Sequence, residues 1–175
     1  QEEVCRANRE LRDFGLVVAT FGNASAILRE EGLVAIKASG VPYESLSPRH
    51  MVLVDLEGRV VEGSLNPSSE TATHLALYRA FPRIGAIAHT HSTWATAWAQ
   101  ALKPLPCLGS THADVFRGEV PCTAVMTDEQ VQRDYEEQTA AQIVAAFRDR
   151  DHLAVPGVLV ASHGPFTWGR SAQEA

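Results

Sequence analysis

The chain is poor in the residues that would commit it to an extracellular, membrane or nucleic-acid setting. Its three cysteines, Cys5, Cys107 and Cys122, are odd in number and show no Cys-x-x-Cys spacing, so neither a disulfide framework nor a thiolate zinc knuckle is indicated. Lys and Arg number 15 against 21 Asp and Glu, a formal net charge of −6, which argues against a nucleic-acid partner. No apolar run approaches the ~18 residues that a bilayer-crossing helix needs, and the charged start, Gln1-Glu2-Glu3-Val4-Cys5-Arg6, lacks the apolar core of a signal peptide. The expectation is a cytoplasmic protein with no membrane partner, with a trimmed leader left open because the chain begins without methionine. Internal repeats, low-complexity segments and linkers are also missing, and 175 residues are one domain's worth. That length buries a core without covalent staples.

What is present is a run of short, well-punctuated elements. Val4, Ala7, Leu11 and Phe14 recur at helical spacing, and Gly15 stands where a helix would end. Ala24–Leu28 and Leu33–Ala38, then Met51–Leu56 and Arg59–Val61, read as two hairpins joined around Gly32 and Gly58. A helix opens at Pro67-Ser68-Ser69-Glu70 and runs to about Phe81, and Ser92 can cap another over Thr93–Leu102. The longest helix is expected from Thr127-Asp128-Glu129 to about Arg150, with Val131, Tyr135, Ile143, Val144 and Phe147 on its buried stripe. The sum is an α/β domain, helices packed on a central, mostly antiparallel sheet.

His89 and His91 carry the chemistry. They follow the apolar run Gly85-Ala86-Ile87-Ala88 two residues apart, so an extended strand would aim both imidazoles to one side of its end. A third histidine, His163, ends a second apolar run, Val158-Leu159-Val160-Ala161, far downstream. If the two ends meet, three imidazoles with an open position make a catalytic rather than a structural zinc site. The pair taken alone reads equally as hydrogen-bonded polar residues where a strand leaves the core, and His50, His74, His112 and His152 are read as ordinary.

Three polar turns, Gly22-Asn23, Ser39-Gly40 and Ser68-Ser69, offer close backbone approach and hydroxyls. With Lys37 as a fixed cation they could form a phosphate cradle, the serine pair adding free amides at a helix start. Each turn alone reads as plain turn chemistry. Two acids stand out. Glu70 sits in a first helical turn, where ligation, proton transfer and simple dipole stabilisation compete; Asp114 lies in a stretch without a clear pattern, where acids are often caps. Ser171-Ala172-Gln173-Glu174 has capping-box spacing at the very end, which reads as a helix start whose helix lies beyond Ala175, or as a frayed tail.

In this order the pieces resemble the class II sugar-phosphate aldolase/epimerase family, most closely its L-ribulose-5-phosphate 4-epimerase branch. The matching stretches are Thr20–Ser25, Ile36–Val41, Pro67–Ser69, His89–Ser92, Thr111–Asp114, Val120–Thr123 with Met126-Thr127, and Ser162–Gly169, spanning almost the whole chain. The resemblance implies a three-layer domain over 1–175, lacking the family's C-terminal helical part and a catalytic tyrosine supplied from there. It implies that His89, His91 and His163 hold zinc, or another divalent metal such as Mn2+ or Co2+. Gly22, Asn23, Lys37, Ser39, Gly40, Ser68 and Ser69 would hold a phosphorylated ketopentose. Asp114 would transfer protons across a subunit boundary of a homotetramer. The implied reaction is interconversion of L-ribulose 5-phosphate and D-xylulose 5-phosphate by cleavage and re-formation of the C3–C4 bond. Glu70 departs from the epimerase pattern, which has aspartate there, and matches the fuculose-phosphate-type aldolases. It is expected as a fourth metal ligand or as an acid/base, and keeps a metal-dependent aldolase as the alternative function. A non-catalytic sugar-phosphate-binding domain is the alternative of another class.

Overall fold

Period-2 patterning and tight turns decide the architecture. The computed structural model describes residues 1–175. In chain order it contains α1 (Glu2–Asp13), β1 (Asn23–Leu28), β2 (Leu33–Lys37), short 3-10 turns at Tyr43–Ser45 and Pro48–His50, β3 (Met51–Asp55) and β4 (Val60–Glu62). Then come α2 (Thr71–Ala80), β5 (Ala86–His89), α3 (Thr93–Gln100), α4 (Ser110–Val115), α5 (Asp128–Gln132), α6 (Tyr135–Ala146), β6 (Gly157–Leu159) and β7 (Pro165–Gly169). The seven strands form one sheet in the order β4-β3-β2-β1-β5-β7-β6, every neighbouring pair antiparallel. This is the expected mixed α/β domain.

Alternating residues along the central strands separate the two faces. On one, Val34, Ile87, Phe166 and Trp168 pack with Leu77, Tyr78 and Phe81 of the α2 region and Ile143 and Phe147 of the α6 region. Each fully buried Ile or Phe there contributes roughly 1.5–3 kcal/mol. The other face is lined by small residues, Ala24, Ala86 and Ala88, against Ala7 of α1 and Ala172. Short side chains let α1 sit close. Its buried Asn8 accepts from the Ala24 amide at 2.8 Å and donates to the Ala24 carbonyl at 2.9 Å, fixing the start of β1. The helix ends as its glycine suggests, Gly15 and Leu16 donating to the carbonyls of Arg12 and Leu11 at 2.8 and 2.9 Å.

Several local expectations are corrected. The long helix is two helices, interrupted at Arg133-Asp134, where Asp134 takes a left-handed conformation at φ 42°. Of its expected stripe, Ile143 and Phe147 are buried, whereas Val131 on α5 and Val144 on α6 are exposed. Asp114 lies on a short helix, α4, rather than in irregular chain. Pro165–Gly169 is a strand that inserts between β5 and β6, so the segment before His163 does not itself touch β5. Ser92 precedes α3 without a side-chain cap. At Ser171–Glu174 only half a capping box forms: Ser171 Oγ accepts from the Glu174 amide at 3.4 Å, while the carboxylate accepts from Arg170. No helix is long and apolar enough to cross a membrane.

Candidate metal centre and anion cradle

His89 closes β5 in register with Asn23 of β1 and Phe166 of β7, which fixes its backbone from both sides. Its ring stacks on Phe166 at 4.2 Å, and its Nδ1 lies 2.9 Å from the Pro165 carbonyl. That carbonyl only accepts, so Nδ1 carries the proton and Nε2 presents a lone pair. His91, two residues on, and His163, on the turn between β6 and β7, meet it. The Nε2 of His91 lies 3.1 Å from the Nε2 of His89 and 3.1 Å from that of His163. Four-coordinate zinc with Zn–N near 2.0–2.1 Å places its ligand nitrogens about 3.3 Å apart, so the donor set and spacing fit such an ion. Burial lowers all three basicities. His89 falls well below the ordinary value, with His163 as a second cause, and His163 falls to about 4 through burial and then His91. His91 is lowered by burial. Three imidazoles of lowered basicity with their Nε2 atoms gathered at one point is an arrangement that a cation reconciles.

The same cavity, about 310 Å³, is walled by the residues of the expected cradle, with Phe21 its only apolar one. Gly22 is held at φ 90°, and a Cβ there would meet Val17 Cγ1 at 2.8 Å and the His89 carbonyl at 3.0 Å, so the turn can approach β5 only as glycine. Asn23 is 2% exposed; its Nδ2 donates to Ser68 Oγ at 3.1 Å while its Oδ1 has no partner. Lys37, also 2% exposed, ends β2 with its Nζ 3.3 Å from the Ala38 carbonyl and 4.9 Å from the Tyr43 ring centroid. No carboxylate pairs with it, and burial lowers its basicity. A desolvated ammonium without a counter-ion is a site that gains from an incoming anion. Ser39, Gly40 and Ser69 form the exposed rim. The expected free amide at Ser68 is corrected: it donates to the Lys37 carbonyl at 3.0 Å.

Glu70 sits immediately before α2 and enters the cavity beside the histidines, its Oε1 3.9 Å from His163 Nε2. Burial pushes its carboxyl up to about 7; the Thr73 hydroxyl, 3.1 Å from Oε2, opposes this and the Glu136 charge adds to it. Thr73 Oγ1 also lies 2.9 Å from the Glu136 carbonyl. A hydroxyl has one proton to give, and the carbonyl can only accept. Thr73 therefore has one proton to share between the Glu70 carboxylate and the Glu136 carbonyl.

Gly22, Asn23, Lys37, Ser39, Gly40, Ser68, Ser69, Glu70, His89, His91 and His163 thus come together within one chain. Asp114 does not: it is exposed and lines a separate cleft with Arg83 and Arg170. Among the histidines read as ordinary, His74 is buried beneath the site with Nδ1 2.7 Å from Ser25 Oγ, and burial lowers it to about 3. Two neighbours were not legible as site residues. Tyr135, read as core, places its hydroxyl 3.4 Å from His163 Nδ1, and Phe21 stacks on His91 at 5.8 Å. Only the interrupted helix exposes the first, and the second has no motif beyond adjacency to Gly22.

Comparison with known proteins agrees with this geometry. Residues 2–175 match the sequence profile of the class II aldolase and adducin N-terminal domain. An L-fuculose 1-phosphate aldolase structure superposes with a TM-score of 0.82 at 30% identity, over 99% of this chain and 76% of that one. The L-fuculose-1-phosphate aldolase of Thermus thermophilus gives 0.75 at 28% identity, covering 98% and 82%. The Escherichia coli protein YgbL gives 0.78 at 28%, covering 99% and 80%. The chain belongs to the class II aldolase and adducin N-terminal domain family.

Proposed function

We propose that the protein is a metal-dependent sugar-phosphate lyase of the fuculose-phosphate type, cleaving a carbon–carbon bond of a phosphorylated ketose by retro-aldol chemistry. The observation that carries this reading is the place of Glu70, a carboxyl that enters the cavity of the three imidazoles with its Oε1 3.9 Å from His163 Nε2. A carboxyl placed to exchange a proton beside the ion's seat is what the reaction needs and what a passive sugar-phosphate binder does not. His89, His91 and His163 would hold the ion, with zinc favoured by three nitrogen donors over manganese or cobalt. When bound, it supplies Lewis-acid stabilisation of negative charge on the substrate's carbonyl and hydroxyl oxygens.

The chain's own groups do the rest. Lys37 takes the phosphate charge, and the hydroxyls of Ser39, Ser68 and Ser69 close around it, anchoring the substrate by its inert end. Loss of the proton from the hydroxyl on the carbon being released turns that carbon into an aldehyde as the bond breaks. The electron pair stays on the ketone fragment, and Glu70 delivers its proton to that carbon. The proton lost from the hydroxyl returns to Glu70 and balances the turnover; in the synthetic direction Glu70 takes the proton from the ketone fragment's carbon and the aldehyde oxygen gains one.

Interconversion of L-ribulose 5-phosphate and D-xylulose 5-phosphate is the second reading. Asp114 favours it, since an exposed acid remote from its own cavity stands where it could serve a neighbouring copy of the chain in a homo-oligomer such as a tetramer. The deciding experiment incubates zinc-loaded protein separately with L-fuculose 1-phosphate and L-ribulose 5-phosphate. Release of lactaldehyde and dihydroxyacetone phosphate is the expected outcome. Formation of xylulose 5-phosphate, abolished in Asp114→Asn with zinc retained, would establish the epimerase. Tight binding of both sugars without turnover would defeat each reading.

A further inference from the structure

We infer that Tyr135 is a positioning residue for the third imidazole, His163, and that the interruption between α5 and α6 serves to deliver it. The inference rests on the three-histidine metal reading, and the experiment below separates the two.

The three imidazoles are not held alike. His89 is gripped by strands on both sides, by a stacked Phe166 ring and by the Pro165 carbonyl at Nδ1. His163 has no strand beneath it. It rides the turn from Val160 to Gly164, closed by the Val160 amide donating to the Gly164 carbonyl at 2.9 Å, directly after Ser162 at a left-handed φ of 62°. For Nε2 to offer a lone pair toward the other two rings, Nδ1 must carry the proton. The group facing that nitrogen is the Tyr135 hydroxyl, at 3.4 Å, with the rings tilted 54°. An imidazole on a tight turn without this acceptor is free to rotate away from the ligand geometry, and outer-shell partners of this kind fix both tautomer and ring orientation.

How Tyr135 arrives there explains an otherwise unmotivated feature. Nothing between Val131 and Ala146 is glycine or proline, yet the helix stops after Gln132 and restarts at Tyr135, with Asp134 at φ 42°, ψ 50°. A non-glycine residue in that region stores strain of order 1–3 kcal/mol and calls for a compensating role. The restart puts Tyr135 at the first position of α6. Two bonds hold that turn: Thr139 Oγ1 donates to the Tyr135 carbonyl at 2.9 Å, and Thr73 Oγ1 of α2 to the Glu136 carbonyl at 2.9 Å. One helix start therefore orients His163 through Tyr135 and meets Glu70 through Thr73.

The test titrates zinc into metal-free full-length protein against a chromophoric chelator, with cobalt absorption spectra as a second readout. Wild type is expected to bind one ion per chain. Tyr135→Phe should weaken zinc about 10–100-fold, the range for losing such an outer partner, and alter the cobalt bands, while the metal-free melting temperature stays close to wild type. Asp134→Pro, which cannot adopt positive φ, should weaken zinc comparably, and Asp134→Gly should leave it unchanged. If Tyr135→Phe does not fold, the two Asp134 variants decide the matter alone. Zinc affinity within twofold of wild type in Tyr135→Phe, or in Asp134→Pro should that pair decide, would overturn the inference while leaving the three-histidine site standing. A wild type that binds no zinc would overturn both.

Discussion

The proton on Glu70 has a thermodynamic signature that can be measured without substrate or metal. Burial moves its carboxyl from 4.5 to about 7 in the folded chain, and each pK unit corresponds to 1.36 kcal/mol. Between those two values the native state holds a proton that the unfolded chain has released. Stability therefore falls as pH rises through this window, by about 3 kcal/mol in all, and levels off above it. The buried histidines act oppositely. His163 and His74, lowered to about 4 and about 3, make the metal-free fold more stable as pH rises toward 6.5. Subtraction isolates the carboxyl. In metal-free protein, Glu70→Gln keeps the shape of the neutral acid and removes the titration. Its melting temperature should match wild type near pH 4.5 and exceed it by roughly 6–12 °C at pH 8, taking 2–4 °C per kcal/mol for a chain of this size. Parallel pH curves for the two proteins would refute this reasoning, showing that Glu70 is not held protonated in the metal-free fold.

Further outcomes follow from the same cavity. Gly22→Ala combines a left-handed backbone with a Cβ 2.8 Å from Val17 and 3.0 Å from the His89 carbonyl, whereas Gly40→Ala meets nothing within 4 Å. The first should cost about 2–4 kcal/mol in urea unfolding and the second about 1 kcal/mol; equal costs would contradict the close approach to β5. Lys37→Met, which relieves a buried charge, should leave the fold as stable as wild type or more so. It should raise KM for a phosphorylated sugar about 10–100-fold, the value of a charge-assisted contact, and an unchanged KM would place the phosphate elsewhere. His91→Ala should lose bound zinc by elemental analysis, and a fully metallated variant would refute that ligand.

What the sequence disclosed was local or periodic. The His89/His91 pair was legible because a strand's period of two is rigid, and the hairpins because Gly32 and Gly58 punctuate them. Convergence of His163 was legible only as a condition, since it depends on β7 inserting between β5 and β6, a pairing that no local pattern in Pro165–Gly169 announces. The interruption at Asp134 was invisible for a different reason. Gln132, Arg133 and Asp134 are all acceptable helix residues, and the contacts that break the helix, Tyr135 with His163 and Glu136 with Thr73, are tertiary. Lys37 showed its chemistry in sequence but not its isolation, which arises from Tyr43 and the Thr20 carbonyl folding over it. The role expected of Asp114 was read through a resemblance alone, and the residue stands exposed on α4, away from the cavity.

His91 and His163 lie 72 positions apart, so an ion seated between them fastens a loop whose closure costs about 4 kcal/mol in chain entropy. Such an ion is a removable clasp across the domain. Because the denatured chain cannot present the three nitrogens together, resistance to unfolding would climb with the logarithm of free metal, by about 2.7 kcal/mol at a hundred times the dissociation constant. The molecule's endurance in a cell would then track the local supply of that ion.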